Sequence, residues 1–570
     1  EPYGIDFSAA DQLAISLQIP ADDPRRAEAA LLFELAHNLN NGHSFLPREK
    51  LLDAAARLIG VEPGPLERGL QALSDGGQLV CEAVSGEDAC YLAELYEAET
   101  ETADRLLKFC ALRPAPPQHL HRLIRTIEAQ QDISYAPLQR EAVELAARHP
   151  LLLLTGGPGT GKTTSVRAIL ALFEALGLET ALAAPTGRAA KRMSELCSAE
   201  AQTIHRLLEA GYHGGDGALS FARNEDNPLP ADAIIVDEAS MVDILLMRAL
   251  LCAMKPGCRL ILVGDHNQLP SVGPGNLLSD LLRCGRIPAV ELTEIFRQAQ
   301  ESAIVMNAHK VNRGESPDLT NTSSDFFFLR RRDEEKTVET ILDLCKTRLP
   351  ARMNIDPAQI QVLSPTRLHA AGTRNLNRLL QAELNTASDN RRERRIGDEL
   401  FREGDRVMQI RNNYDLFWRS ADGMRTGYGV FNGDVGYVLQ IDASGEVLTV
   451  EFDDRRADYT PDLLGELELA YAMTVHKAQG SEYRAVIFAA AQASPRLLTR
   501  GVLYTAVTRA RELLILVGDD DVIARMAANS RQQRRYSGLR YRLTNWDHLR
   551  VPPNASPPGS PPATKRGVTA

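Results

Sequence analysis

The stretch Leu151-Leu-Leu-Leu-Thr-Gly-Gly-Pro-Gly-Thr-Gly-Lys-Thr-Thr164 decides how this chain folds. Four consecutive leucines ending at a cluster of glycines have the length and boundary of a buried strand. Gly156 through Thr163 then spell G-x-x-x-x-G-K-[ST], placed between that strand and a helix start. Gly157, Pro158, Gly159, Thr160 and Gly161 form a loop whose backbone N–H groups can curl around a polyphosphate. A helix N-terminus beside it favours negative charge. Lys162 would neutralise the β- and γ-phosphates, the Thr163 hydroxyl would ligate Mg²⁺, and Thr164 continues the loop into the helix. The chain is therefore expected to bind ATP with Mg²⁺.

Around this motif, apolar strands alternate with helices from about 130 to 310, which predicts a parallel α/β domain. A second α/β segment starts near 325. Between 396 and 466 the pattern changes to short strands with turns, at 405–410, 434–441 and 446–452, marked by Gly433, Gly436 and Gly445. This predicts a small β-barrel inserted into the second α/β domain. Upstream, 27–40, 48–59 and 66–73 carry helical periodicity. A turn at Asp75-Gly-Gly77 and alternating runs at 78–83 and 89–92 follow. Three helices and a hairpin outline either a winged helix or a generic helical domain. A proline-rich linker begins at Arg113, and the Pro- and Ser-rich stretch 551–570 has the composition of a disordered tail.

The bulk numbers agree with a multidomain globular protein. The 570 residues predict roughly three to five domains. No apolar run approaches the length of a membrane span. The chain opens at Glu1 with no leader pattern, which reads as a processed or truncated piece placed in the cytoplasm. A net charge of −11 weighs against a wholly basic nucleic-acid footprint and leaves room for a local one. Eight scattered cysteines without a C-x-x-C pair suggest neither a zinc site nor a disulfide framework.

Further motifs carry chemistry. Ile234-Ile-Val-Asp-Glu-Ala-Ser240 is an apolar strand ending in two acids, and the carboxyl end of such a strand faces the phosphate loop. Asp237 would hold Mg²⁺, and Glu238 would polarise the attacking water. Gln268, after the strand-like Leu260-Ile-Leu-Val-Gly-Asp265, has an amide suited to sensing the γ-phosphate. Arg297 and Arg509 each follow an apolar stretch, and a guanidinium can stabilise charge on a transferring phosphoryl group. Ala183-Ala-Pro-Thr-Gly-Arg188 and Val362-Leu-Ser-Pro-Thr-Arg367 form a strand-end pair, one per α/β domain. Pro185, Thr186, Arg188, Thr366 and Arg367 there, with Thr474, His476 and Gln479 of the polar turn 471–482, offer the hydroxyl, amide and cationic contacts that bind a phosphate backbone.

In order and spacing these segments resemble the helicase motifs of superfamily 1, over 135–518. The segments around Asp237 and 474–482 most resemble the RecD family, whose branch moves 5′→3′ on single-stranded DNA. Residues 3–14 look like the end of a helix-hairpin-helix region, and 19–43 resemble the stand-alone RecD-like helicases. The resemblance implies two RecA-like motor domains (135–310; 311–395 with 467–550), a helical N-terminal domain at 21–112, a linker and helix at 113–134, and an SH3-like insertion at 396–466. It implies that Gln139 contacts adenine, that Arg297 and Arg509 are fingers, and that Thr186, His205, Thr366, Thr474 and His476 line the single-strand channel. It also implies a duplex-splitting hairpin within 208–230. The expected activity is ATP-driven unwinding of 5′-tailed duplex DNA by a monomer, in repair or recombination. Rival readings are an RNA-directed motor, a DNA-binding adaptor with a switch-like ATP site, and a motor subunit of a recombination nuclease.

Overall fold

The computed structural model describes residues 7–20, 22–112, 114–115, 117–212, 219–531 and 535–549. The first residues of the expected helix-hairpin-helix remnant, residues 213–218 of the segment expected to split the duplex, and 551–570, expected as a disordered tail, lie outside them.

The leucine run is the strand Leu151–Gly156, with all six residues buried. Its neighbours cover it completely, because a strand inside a parallel sheet is packed on both faces. Six parallel strands run in the order Ala289–Leu292, Leu151–Gly156, Arg259–Gly264, Ala233–Val236, Thr180–Ala184 and Ala201–Thr203. The phosphate loop and the acid pair thus leave the carboxyl edge of one sheet from strands on either side of Arg259–Gly264, the strand that leads to Gln268.

A second parallel sheet has the order Phe326–Arg330, Ala510–Gly518, Tyr483–Ala490, Ile360–Ser364 and Ala472–Thr474. These are the two RecA-like lobes. Between Ile360–Ser364 and Ala472–Thr474 the chain makes the SH3-like domain, with a seven-stranded antiparallel sheet. The strands at Arg406–Gln409, Val435–Ile441 and Leu448–Phe452 fall within the predicted runs. The sheet's strands Arg455–Tyr459 and Leu467–Leu469 were not foreseen, nor were Asn413–Ser420 and Thr426–Val430. Exposed Phe417 and Tyr428 break the apolar-in, polar-out alternation of the last two.

The N-terminal region is the winged-helix-like alternative. Helices Pro24–Leu39, Arg48–Ile59 and Pro63–Asp75 precede the hairpin Leu79–Val84 and Glu87–Leu92. The three-residue strand Phe45–Pro47 completes the sheet by pairing with Glu87–Leu92. Asp23 caps the first helix by accepting from the Arg25 N–H, and Pro24 opens it.

The C-terminal helix Leu539–Leu549 returns to pack on Ala93–Ala111 and Leu277–Arg283. Its entry is polar and buried. Glu99 accepts from Tyr91 Oη at 3.0 Å, from the Gly538 N–H at 3.0 Å and from Ser537 Oγ at 3.1 Å. Ser537 Oγ also lies 2.8 Å from Asp280 Oδ2. Burial, helped by the charge of Glu99, pushes the Asp280 carboxyl up to about 7.

Asp280 has a pH consequence. An unfolded Asp ionises near pH 4. Between about pH 4 and 7 the folded chain holds a proton that the unfolded chain has released, so this contribution is full below 4 and is lost as pH rises through 7. Asp280→Asn keeps a hydrogen-bonding partner for Ser537 Oγ and removes the titration. The stability of the wild type relative to this variant should fall by about 1–4 kcal/mol between pH 5 and 8. Calorimetric melts of both proteins across that range test it, and parallel curves would reject it.

Candidate active site

The phosphate loop is built from residues that tolerate crowding and left-handed backbone. Gly159 and Gly161 sit at φ +73° and +82°. A Cβ on Gly159 would lie 2.5 Å from the Ala299 Cβ, and one on Gly161 2.3 Å from Gln139 Nε2. Glycine is required there for both conformation and space. Gln139 braces the loop from outside. Its Oε1 accepts from the Ala136 N–H at 3.0 Å, and its Nε2 donates to the Gly161 carbonyl at 3.3 Å. His309 Nε2 donates to the Pro158 carbonyl at 3.0 Å.

Between the lobes lies a cavity of about 280 Å³. It brings together Gly157, Pro158, Gly159, Gly161, Lys162 and Thr163 with Asp237, Glu238 and Gln268 from the first lobe and Arg509 from the second. Thr160, Thr164, Gln139 and Arg297 are outside its lining. Thr160 is buried, with its hydroxyl on the Gly157 carbonyl at 2.9 Å. Arg297 is exposed, at the start of the short helix Arg297–Gln300.

The charges in the cavity are arranged for an anion with a cation. Lys162 Nζ donates to the carbonyls of Gly156 (2.6 Å) and Gly157 (3.0 Å), which leaves its third proton for another acceptor. Asp237 and Glu238 stand side by side at the end of Ala233–Val236. Burial and the neighbouring Glu238 charge push the Asp237 carboxyl up to about 6. Glu238 has φ +51° and ψ 40°, a left-handed conformation costing about 1 kcal/mol for an L residue, and its N–H donates to Asp237 Oδ1 at 2.8 Å. Two crowded carboxylates and the Thr163 hydroxyl are a hard oxygen donor set, which suits Mg²⁺.

The second lobe reaches across through buried polar contacts. Arg509, 2% exposed, donates from Nη2 to Gln268 Oε1 at 3.0 Å and from Nη1 to the Ser481 carbonyl at 3.1 Å. Tyr504 Oη donates to Asp265 Oδ2 at 2.6 Å. Arg192 pairs with Glu482 at 2.6 Å, and both line the cavity. The sequence reading missed His309, Tyr504 and the Arg192–Glu482 pair. Tyr504 and Glu482 sit inside motifs already singled out, which was the available signal.

The residues expected on nucleic acid are spread over both lobes. Pro185 ends the first-lobe strand–loop junction, where Thr186 caps helix Gly187–Cys197. Arg188 crosses to Tyr483 Oη at 3.1 Å. His205 is buried against the rings of Phe221 and Tyr414, and desolvation lowers its pKa to about 4, so it is neutral. Thr366 is buried, and Arg367 reaches Glu468 at 3.4 Å, where Lys477 also binds. Thr474 Oγ1 accepts from the Lys477 N–H. Burial lowers the His476 pKa. Gln479 spends its amide on the lobe interface, donating to the Leu269 carbonyl at 2.6 Å.

Two RecA-like lobes meeting over a phosphate loop, the second carrying an SH3-like insertion, have the build of an ATP-driven DNA helicase of superfamily 1. Family models match residues 139–274 (AAA domain), 376–452 (ATP-dependent RecD-like DNA helicase SH3 domain), 469–517 (UvrD-like helicase C-terminal domain) and 1–45 (ATP-dependent RecD2 DNA helicase HHH domain). The ATP-dependent RecD2 DNA helicase of Deinococcus radiodurans is 35% identical over 544 residues, covering 94% of this chain and 71% of that one. The RecD subunit of the RecBCD enzyme of Mycobacterium tuberculosis is 32% identical over 484 residues, 78% of each chain. A solved structure of Bacteroides Pif1 bound to ssDNA is 20% identical and covers 73% of this chain and 97% of its own, with a TM-score of 0.41. The chain belongs to the RecD2 family of ATP-dependent DNA helicases. Among the described residues no helix is long and apolar enough to cross a membrane.

Proposed function

We propose that this helicase moves 5′→3′ along single-stranded DNA as a monomer, opens 5′-tailed duplexes, and serves DNA repair or recombination. The observation that supports ATP-coupled movement is the buried Arg509–Gln268 bond, which joins the second lobe to the first at the phosphate cavity. Bound there, Mg·ATP supplies a γ-phosphoryl group whose transfer to water releases the free energy for movement.

The chain's own residues then have distinct tasks. Gly157 to Thr164, Lys162 among them, hold the phosphates, and Gln139, which braces the loop through the Gly161 carbonyl, is the residue assigned to adenine. Thr163 and Asp237 hold the metal ion. Glu238 orients the attacking water and takes its proton. Arg509 stabilises transferring charge from the second lobe. Arg297 is the second finger in this reading, carried by the short helix Arg297–Gln300 outside the cavity lining. Gln268 reports on the phosphate through its bond to Arg509.

Thr186, Arg188 and His205 on one lobe, and Thr366, Arg367, Thr474 and His476 on the other, supply backbone contacts along the strand. Their division between the lobes lets an opening and closing cleft shift one set relative to the other. Polarity rests on the likeness to the RecD branch.

Strand displacement tests this directly. A 5′-tailed duplex should be unwound with ATP and Mg²⁺, while a 3′-tailed one should not. Equal unwinding of both rejects the polarity. Equal stimulation of ATP hydrolysis by RNA and DNA oligonucleotides would favour the RNA-directed reading.

A further inference from the structure

The segment 265–275 joins strand Arg259–Gly264 to helix Leu277–Arg283, and it is gripped from outside its own lobe along most of its length. The first half is held by the second lobe. Tyr504 holds Asp265, Arg509 holds Gln268, and Thr505 Oγ1 accepts from the Leu269 N–H at 3.0 Å. Gln479 takes the Leu269 carbonyl at 2.6 Å.

Past Pro270 the partner changes to a single side chain from the C-terminal segment. Arg535 Nη2 donates to the Ser271 carbonyl at 2.5 Å, and its Nη1 donates to the carbonyls of Gly273 (3.1 Å) and Gly275 (2.8 Å). The guanidinium packs against Gly42, where a Cβ would come within 2.3 Å of its Cζ. Gly42 returns a bond of its own, its carbonyl accepting from the Gly275 N–H at 3.0 Å. The next residue stitches this point to the N-terminal domain. The Tyr536 N–H donates to His43 Nδ1 at 3.1 Å, and the Tyr536 carbonyl accepts from the Ser44 N–H at 2.7 Å.

Among the described residues Arg535 forms no ion pair; its burial is met by carbonyl oxygens and one hydroxyl. Removing a cation from water is costly; desolvation brings its pKa down to about 10, and the nearby Asp243 charge only partly offsets it. A planar fork that reaches three carbonyls of one short loop is a geometry a lysine cannot copy. It makes 271–275, the two ends of the N-terminal contact and the C-terminal segment one rigid unit.

We propose that Arg535 is a positioning residue that anchors the far half of this segment, so that displacement of the Gln268 half by the second lobe is passed to the N-terminal domain as movement rather than absorbed by the loop. This rests on the motor reading above. Arg535 touches no reacting atom; its effect is on how much unwinding accompanies each ATP.

The test compares wild type, Arg535→Ala and Arg535→Lys in melting temperature, ATP KM, single-strand Kd, DNA-stimulated kcat, and base pairs unwound per ATP. Base pairs per ATP should fall about fivefold or more in Arg535→Ala, with Arg535→Lys intermediate. KM and Kd should stay within about twofold. Base pairs per ATP at the wild-type value, or a KM that rises in step with the lost unwinding, overturns the inference. If Arg535→Ala does not fold, Arg535→Lys decides alone, and wild-type unwinding per ATP in it counts against the proposal. A wild type without DNA-dependent turnover fails differently, because it rejects the motor itself.

Discussion

Arg509→Ala should lower kcat for DNA-stimulated ATP hydrolysis by about 10³-fold or more, with ATP affinity changed only a few-fold. The asymmetry follows from position. The phosphates would be held by first-lobe groups, Lys162 and the loop amides, all of which remain in the variant. Arg509 comes from the other lobe, is buried at the cavity wall, and faces Gln268. A guanidinium there matters most when charge builds on the transferring group, so its loss raises the barrier more than it weakens the ground-state complex.

Arg509 also ties its own lobe together through the Ser481 and Thr505 carbonyls. Loss of packing could imitate a catalytic effect, and Arg509→Lys separates the two. It keeps a positive charge but loses the planar fork, so turnover should recover only in part while the melting temperature returns toward wild type. Steady-state ATPase assays with saturating single strand, alongside binding of a fluorescent nucleotide, give both numbers. A kcat within tenfold of wild type in Arg509→Ala would remove the finger role and leave Arg297 to be tested.

What the sequence made legible is local. The run at 151–164 announced strand, loop and helix because burial, glycine and phosphate chemistry all act within a dozen residues. The acid pair 237–238 was legible for the same reason, since an apolar strand that ends in carboxylates has few other uses beside such a loop. The SH3-like insertion was visible as a change of period, though four strands of its sheet were hidden, two of them where exposed Phe417 and Tyr428 spoil the alternation.

What stayed hidden is long-range. Nothing near Gln479 says that its amide will close on the Leu269 carbonyl, 210 positions away. The Arg192–Glu482 pair and the Tyr504–Asp265 bond likewise exist only once two sheets have been placed face to face. The strand Phe45–Pro47 is too short for any periodicity to register. Arg297 and Arg509 looked alike in sequence, each an arginine after an apolar stretch. Folding buries one at the cavity and leaves the other exposed on a short helix.

Lys162→Ala should abolish ATP hydrolysis, with a loss of about 10²–10³-fold or greater, while single-strand binding stays near the wild-type value. The lysine ammonium is anchored to the Gly156 and Gly157 carbonyls, so its free proton is already aimed into the cavity. That pre-orientation means its charge acts on the phosphates without reorganisation, and no neighbouring first-lobe cation is placed to substitute. Arg192, the other first-lobe cation in the lining, is paired with Glu482.

The variant should fold. Truncating a half-buried lysine that bonds two loop carbonyls removes little apolar contact, and those carbonyls can turn to water at the cavity mouth. The residues assigned to the strand, Thr186, His205, Thr366 and Thr474, belong to other elements and are not among the Lys162 ammonium's partners. DNA binding without nucleotide should therefore persist, whereas any change of DNA affinity that ATP produces in the wild type should vanish. Hydrolysis and fluorescence-anisotropy titrations on the same preparation distinguish these. Retained turnover would strip Lys162 of its phosphate role. A parallel loss of DNA binding would show that the cleft and the strand-binding surface cannot be treated as separate sites.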